Sequence, residues 1–239
     1  MDKLYIVMPA YNEAENLGFT VSQWYPVAEK YGSEGSALVV VNDGSTDGTL
    51  DELRRLKKQY PKLIPLTKKN GGHGSAVLFG YRYAVRQGAD LIFQTDSDGQ
   101  TDPAEFEQFW KLRNRYDAVI GKRLSRGDGL SRKLVEDVVC ILLRLVFGVK
   151  VRDANAPFRL MRAELVNRYI SRLPKDYNIP NIMLTTFFVY YGEKVRFLPI
   201  SFKPRRSGRN KLNFKKMFVI GARAMCDFVR FRRDMKKPR

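Results

Sequence analysis

Histidine and cysteine are nearly absent from this 239-residue chain. Its single histidine, His73, nearly excludes zinc sites built from imidazoles, and a Ser-His-Asp hydrolase would have to rest on that one residue. Two cysteines, Cys140 and Cys226, form neither a disulfide framework nor a CxxC knuckle, which fits a reducing cytosol. Long apolar runs are also missing. The longest, residues 138–149, is interrupted by Arg144 and falls short of the ~18–20 residues that a bilayer span needs. The first apolar run, residues 4–8, is too short for a signal sequence and is ended by Pro9, so no targeting peptide is expected.

Acidic residues are the scarcer charge: 25 Asp and Glu against 43 Lys and Arg, a net charge of +18. The imbalance is local. Residues 196–239 hold 15 basic and 2 acidic groups, leaving a net of only +5 for the rest. Nucleic acid, anionic lipid and phosphorylated substrates are therefore all candidate partners of the C-terminal segment. At 44% hydrophobic and 28% charged, the chain is globular rather than disordered and long enough for a sizeable core.

What is present first is an alternation of strand and helix. Short apolar runs at residues 4–8, 37–41, 63–66, 90–94 and 118–121 are separated by helix-length segments at 13–31, 49–60, 73–87 and 103–115. Buried strands at this spacing predict an α/β fold with a parallel sheet and helices on both faces. Beyond Gly121 the pattern predicts helices over 131–147, 162–173, 178–191 and 213–233, a strand over 194–202 and a basic loop over 204–211.

Ligands of such sheets bind beyond the carboxyl ends of the strands, and the polar, Gly-rich segments fall there. They are Pro9-Ala10-Tyr11-Asn12-Glu13, then Asn42-Asp43-Gly44-Ser45-Thr46-Asp47-Gly48-Thr49, Asn70-Gly71-Gly72-His73-Gly74, and Asp96-Ser97-Asp98-Gly99-Gln100. Asp96 and Asp98, two residues apart after a buried strand, can share one hard divalent cation directly or through water, and Gln100 can add a neutral oxygen. The plain alternative is a solvated turn. Asp43 leaves its strand where it can accept hydrogen bonds from a base or ribose, or can serve only to build the turn, while Thr46 and Asp47 cap the next helix. The glycine run lets backbone approach a ligand, with His73 read as a helix-start residue; it is neither a P-loop nor a dinucleotide fingerprint.

These four segments, in this order, resemble the family 2 glycosyltransferases of GT-A fold over about the first 125 residues. Val119-Ile120-Gly121-Lys122-Arg123, Val151-Arg152-Asp153-Ala154-Asn155-Ala156-Pro157-Phe158-Arg159 and Arg205-Arg206-Ser207-Gly208-Arg209-Asn210-Lys211-Leu212 narrow the likeness to the dolichyl-phosphate mannosyltransferase group, which glycosylates polyprenyl phosphates. The chain departs from that group at Asn42, Pro157 and Asn210. The resemblance implies a GT-A catalytic domain over 1–212 (nucleotide-sugar half 1–125, acceptor half 126–212), followed by a basic amphipathic helix and tail over 213–239. It implies Mg²⁺ or Mn²⁺ on Asp96, Asp98 and Gln100. Pro9, Tyr11, Glu13, Asp43, Gly72, Gly74 and Asp96 would hold the nucleotide of a UDP- or GDP-hexose. Arg123, Arg132, Arg205 and Lys211 would meet the acceptor phosphate.

A phosphate acceptor is already anionic at neutral pH, so it needs cationic clamping more than a base. Asp153 is the best candidate for a catalytic or orienting carboxylate beside the metal-binding Asp98; a salt bridge to Arg152 or Arg159 is the equal alternative. Glu136-Asp137 reads as the polar face of an apolar helix. In the last helix Phe214, Met217, Phe218, Gly221, Met225 and Phe228 form one stripe, with Lys216, Arg223 and Arg230 opposite. That pattern places the protein peripherally on the anionic cytosolic face of a membrane, without a transmembrane span and with a membrane protein as a further candidate partner. The same stripe packed on the catalytic domain is the alternative. Nucleic acid is not expected as a partner, because it leaves Asp43, Asp96, Asp98 and the glycines unexplained. A saccharide hydroxyl, as in cell-wall or capsule assembly, is the alternative acceptor.

Overall fold

The structure, a computed structural model, describes residues 1–124, 130–204 and 214–235; the side chains of residues 130–134 and 214–223 lie outside that description. Arg205 and Lys211, and the side chain of Arg132, therefore lie outside the described residues.

Seven strands, β1 (Leu4–Ala10), β2 (Ala37–Asn42), β3 (Leu63–Thr67), β4 (Leu91–Gln94), β5 (Ala118–Arg123), β6 (Arg159–Arg162) and β7 (Val195–Ile200), form one sheet in the order β3-β2-β1-β4-β6-β5-β7. β1 and β2 are buried at every position, as expected for continuous apolar runs covered on both faces. Alternation along β1 sorts its side chains. Tyr5 and Val7 enter one core layer, whereas Leu4, Ile6 and Met8 enter the other. The edge strands β3 and β7 each carry a proline, Pro65 and Pro199, which removes a donor where only a sheet edge tolerates the loss.

Helices α1 (Ala14–Tyr31), α2 (Thr49–Gln59) and α3 (His73–Arg86) follow the first three strands, as the spacing predicts. The helix expected over 103–115 is shorter. A 3₁₀ turn at Pro103–Glu105 leads into α4 (Phe106–Trp110), and the chain then leaves the helix in turns. In the second half come α5 (Leu130–Phe147), α6 (Ala163–Ile170), α7 (Pro180–Tyr190) and α8 (Phe214–Met235). β6 is a strand that sequence periodicity misses: four residues, arginine at both ends, antiparallel to both β4 and β5. Its two reversals leave β5 and β7 running with β1–β4, so Arg123, Ile200 and the loop before β6 all reach the same sheet edge as the first four strand ends.

The last helix packs on the domain over its described side chains. Phe228, Phe231 and Met235 of α8 are buried, with Phe228 edge-on to Phe147 and Phe231 edge-on to Tyr177 and Phe187. Of the expected stripe, Phe228 is therefore packed on the domain and Met225 is half-buried, whereas the side chains of Phe214, Met217 and Phe218 lie outside the described residues.

Candidate functional site

The carboxyl ends of β1, β2 and β4 open into a cavity of about 380 Å³ lined by Pro9, Ala10, Tyr11, Glu13, Asp43, Asn70, Gly72, His73, Ala76, Asp96, Ser97 and Asp98. Of the residues assigned to nucleotide and metal, the structure brings together Pro9, Tyr11, Glu13, Asp43, Gly72, Asp96 and Asp98. Gly74 and Gln100 are not in its lining.

Each wall is held by local chemistry. The two loops after β1 and β2 are stapled: Asn12 N donates to Ser45 Oγ at 3.0 Å, Thr46 N to Asn12 Oδ1 at 2.9 Å, and Glu13 N to Thr49 Oγ1 at 3.0 Å. Asn12 adopts φ 54°, the left-handed region that asparagine tolerates better than other side chains. Gly48 is the N-cap of α2, and Asp47, one residue before it, accepts from Thr49 N at 3.0 Å and so closes the turn that leads into the helix. Tyr11, nearly half exposed, stands at the rim.

Asp43 is buried, and its carboxylate is consumed by the protein itself. Lys68 Nζ lies at 2.6 Å, Gly71 N at 3.0 Å and Gly72 N at 2.7 Å. Of the two roles open to Asp43, the structure displays the second: it builds the loop and fixes Gly72, whose φ of 87° suits glycine, against the cavity. Gly74 has a packing reason to be small. A Cβ there would stand 2.2 Å from Asn178 O and 2.5 Å from Tyr177 O, so the first turn of α3 sits directly on that backbone. That packing is a use of Gly74 other than the nucleotide contact expected of it.

The acidic loop after β4 is anchored from three sides. Thr20 Oγ1 of α1 donates to Ser97 O at 3.0 Å, the hydroxyls of Thr95 and Thr101 meet at 2.7 Å, and Gln100 N donates to Asp98 Oδ1 at 3.1 Å. Gln100 Nε2 donates to Lys203 O at 2.9 Å while Lys203 N donates to Gln100 O at 2.8 Å. That clasp ties the loop to the segment following β7, a different use of Gln100 from the metal contact expected of it.

His73 Nε2 lies 3.1 Å from Asp96 Oδ1, so this residue belongs to the site rather than only to the helix start. Desolvation opposes protonation of this partly exposed ring, but the charge and hydrogen bond of Asp96, joined by the charges of Asp98 and Asp43, hold the imidazole above its usual range. The glycines around His73 were the available signal; its partner 23 residues on was not visible in spacing.

Asp96 and Asp98 offer only hard oxygen donors, the chemistry that Mg²⁺ and Mn²⁺ prefer. No group of three or more His, Cys, Asp and Glu side chains able to hold a metal occurs among the described residues. Two carboxylates on a polar cavity wall suit an ion whose remaining ligands come from water and a diphosphate.

Asp153 and Arg123 lie outside that cavity and bind each other: Nε and Nη2 of Arg123 meet the two carboxylate oxygens at 2.8 Å each. Asp153 therefore does form a salt bridge, but to a partner 30 residues away rather than to Arg152 or Arg159. Glu136, on the inward side of α5, hydrogen-bonds Asp153 and stands 3.7 Å from the same guanidinium. Burial works to raise the Asp153 carboxyl, yet the hydrogen bonds and charge of Arg123 outweigh it and hold the group below the usual carboxylate range. The fully buried Arg159 donates instead to the carbonyls of Ala154, Ala156 and Asn181, pinning the loop that carries Asp153 to α7. Arg123, expected to meet acceptor phosphate, is thus neutralised in this structure.

The chain is similar in sequence to proteins of known activity. The undecaprenyl-phosphate mannosyltransferase of Micrococcus luteus is 26% identical over 216 residues, covering 87% of this chain and 86% of that protein. The polyprenol monophosphomannose synthase of Mycolicibacterium smegmatis is 27% identical over 87% of this chain and 80% of its own length. The undecaprenyl-phosphate 4-deoxy-4-formamido-L-arabinose transferase of Pectobacterium atrosepticum is also 27% identical, over 90% of this chain, which spans 64% of that longer protein. Among solved structures, glucosyl-3-phosphoglycerate synthase from Mycobacterium tuberculosis with Mn²⁺, uridine diphosphate and phosphoglyceric acid superposes with a TM-score of 0.71 at 18% identity, over 97% of this chain and 78% of the other. The mixed sheet and its flanking helices are those of the GT-A glycosyltransferases. Residues 5–170 match the Glycosyl transferase family 2 signature, and the chain belongs to that family.

Proposed function

We propose that this glycosyltransferase moves a hexose, with inversion, from a UDP- or GDP-sugar to a polyprenyl phosphate at the cytosolic face of a membrane. The observation that carries the reading is the convergence of Asp96 and Asp98 with the Asp43-fixed glycine loop on one cavity. Two relatives named for polyprenyl phosphates match over 87% of this chain and over 86% and 80% of their own lengths, which supports the acceptor class.

In this reading Pro9, Tyr11, Glu13 and Gly72 surround the nucleotide, and Asp96 and Asp98 hold Mg²⁺ or Mn²⁺. When bound, the ion supplies neutralisation of the diphosphate leaving group. A phosphate oxygen of the acceptor attacks the anomeric carbon from the opposite side. The bond from that carbon to the diphosphate breaks, and its electron pair leaves with the nucleoside diphosphate. The acceptor oxygen already carries charge, so no protein base has to remove a proton. This suits a structure in which Asp153 is committed to Arg123. Arg132, Arg205 and Lys211 are the cations assigned to the acceptor phosphate.

Asp98→Ala should abolish release of nucleoside diphosphate in the presence of Mn²⁺ while circular dichroism stays unchanged; retained turnover would refute the metal assignment. Offering short polyprenyl phosphates and free glycans side by side separates the phosphate acceptor from a saccharide hydroxyl.

A further inference from the structure

Helix α5 is apolar on the wrong side as well as the right one. Leu143 and Phe147 are buried in the core, but Val138, Ile141 and Leu145, three and four residues apart and so on one face, are 46%, 57% and 75% exposed. Val135, 40% exposed, borders the same row. Four of the nine large hydrophobic side chains exposed among the described residues therefore fall on this one helix, in a row roughly 15 Å long at ~1.5 Å per residue. Single exposed aliphatics need no explanation, whereas a continuous row does.

We infer that the outward face of α5 is the surface by which the protein seats itself in the outer acyl layer of an anionic phospholipid bilayer. The inference rests on the lipid-acceptor reading and locates its membrane surface on a different element from the C-terminal stripe. Three observations select the bilayer. First, Glu136 of α5 stands 3.7 Å from the guanidinium of Arg123, the last residue of β5, so the helix that bears the row lies beside the sheet edge where a lipid phosphate would arrive. Second, the surroundings are more basic than acidic. Arg144 and the exposed Asp137 sit beside the row, exposed Lys150 and Arg152 follow the helix, and α5 packs on α8 of the segment whose net charge is +13. Third, four aliphatic side chains expose on the order of a few hundred Å², well under the ~800 Å² per partner that a stable dimer buries, but enough for shallow interfacial insertion. No described helix is long and apolar enough to cross the membrane, which leaves α5 lying along its surface.

The test is co-sedimentation of the full chain with vesicles of equal parts phosphatidylcholine and phosphatidylglycerol, without sugar nucleotide or acceptor. The parent should bind. Ile141→Ser/Leu145→Ser should reduce partitioning about tenfold or more while turnover with a short, water-soluble polyprenyl phosphate is unchanged. Leu145→Lys, a single change at a largely exposed position, keeps the assay decisive should the double variant misfold. It should also bind less, although it adds a positive charge that would strengthen purely electrostatic attachment. Absence of vesicle binding by the parent, undiminished binding by Leu145→Lys, or a parent dimer that the serine variant dissolves would each overturn the inference. Vesicle binding that the parent shows and the variants lose, together with no turnover by the parent on any polyprenyl phosphate, would leave the docking surface standing and remove the acceptor assignment instead.

Discussion

Replacing Asp43 by asparagine probes whether this buried carboxylate serves the fold or the ligand. The side chain is 2% exposed, and its partner Lys68 is 16% exposed at 2.6 Å. Removing one member of a buried ion pair costs ~3–5 kcal/mol. Lys68 retains its bond to Lys69 O at 2.7 Å and some water, which favours the lower end. Asparagine keeps one acceptor oxygen for Gly72 N but sets an amide NH₂ near donors that faced a carboxylate. A loss of about 3 kcal/mol is expected, or roughly 6–12 °C in Tm for a chain of this size. Urea unfolding should report it, and calorimetric titration with UDP or GDP should show a weaker, secondary loss of affinity because Gly71 and Gly72 are no longer fixed. Adding Lys68→Met should recover part of the stability, exposing the coupling of the pair. If Asp43→Asn leaves the urea midpoint unmoved yet removes nucleotide binding, the carboxylate contacts the ligand directly and the positioning argument fails.

Three further outcomes follow from the same geometry. Gly74→Ala should destabilise by ~1–3 kcal/mol in urea unfolding, although alanine ordinarily favours a helix, because its Cβ meets the Asn178 carbonyl; a more stable variant would contradict the packing. The depressed Asp153 carboxyl contributes stability that is present above the unfolded carboxylate range near pH ~4 and lost as pH falls through its lower folded value. Asp153→Asn should therefore be less stable at pH 7 and lose less on acidification, as followed by denaturant midpoints across pH; parallel curves would refute the pairing. Burial first, then Glu136 and Asp153, push the Cys140 thiol up to about 11, so maleimide at pH ~8 should label exposed Cys226 rapidly and Cys140 hardly at all. Comparable rates would sink that assignment.

Much of the nucleotide side of the site is legible in the sequence alone. Apolar runs at fixed spacing dictate parallel strands. A strand end is where a carboxylate such as Asp96 or Asp98 can leave the core, so local order alone gathers Pro9, Asp43, Gly72 and the acidic loop at one edge. Non-local pairing stayed hidden. β6 is too short and too basic at its ends to register as a strand, yet it turns Arg123 and the Asp153 loop to the same edge and lets them neutralise each other across 30 residues. Spacing could not show that Gly74 makes room for Asn178, or that Asp43 is already occupied by Lys68.

The C-terminal half shows the limit most plainly. Periodicity determines that α5 and α8 are apolar helices and that the basic charge lies late in the chain, since both follow from residue order alone. It does not determine which apolar face finds a protein partner. Only tertiary packing decided that Phe228, Phe231 and Met235 are covered and that Ile141 and Leu145 are not, because burial belongs to the arrangement of neighbouring elements rather than to any one segment.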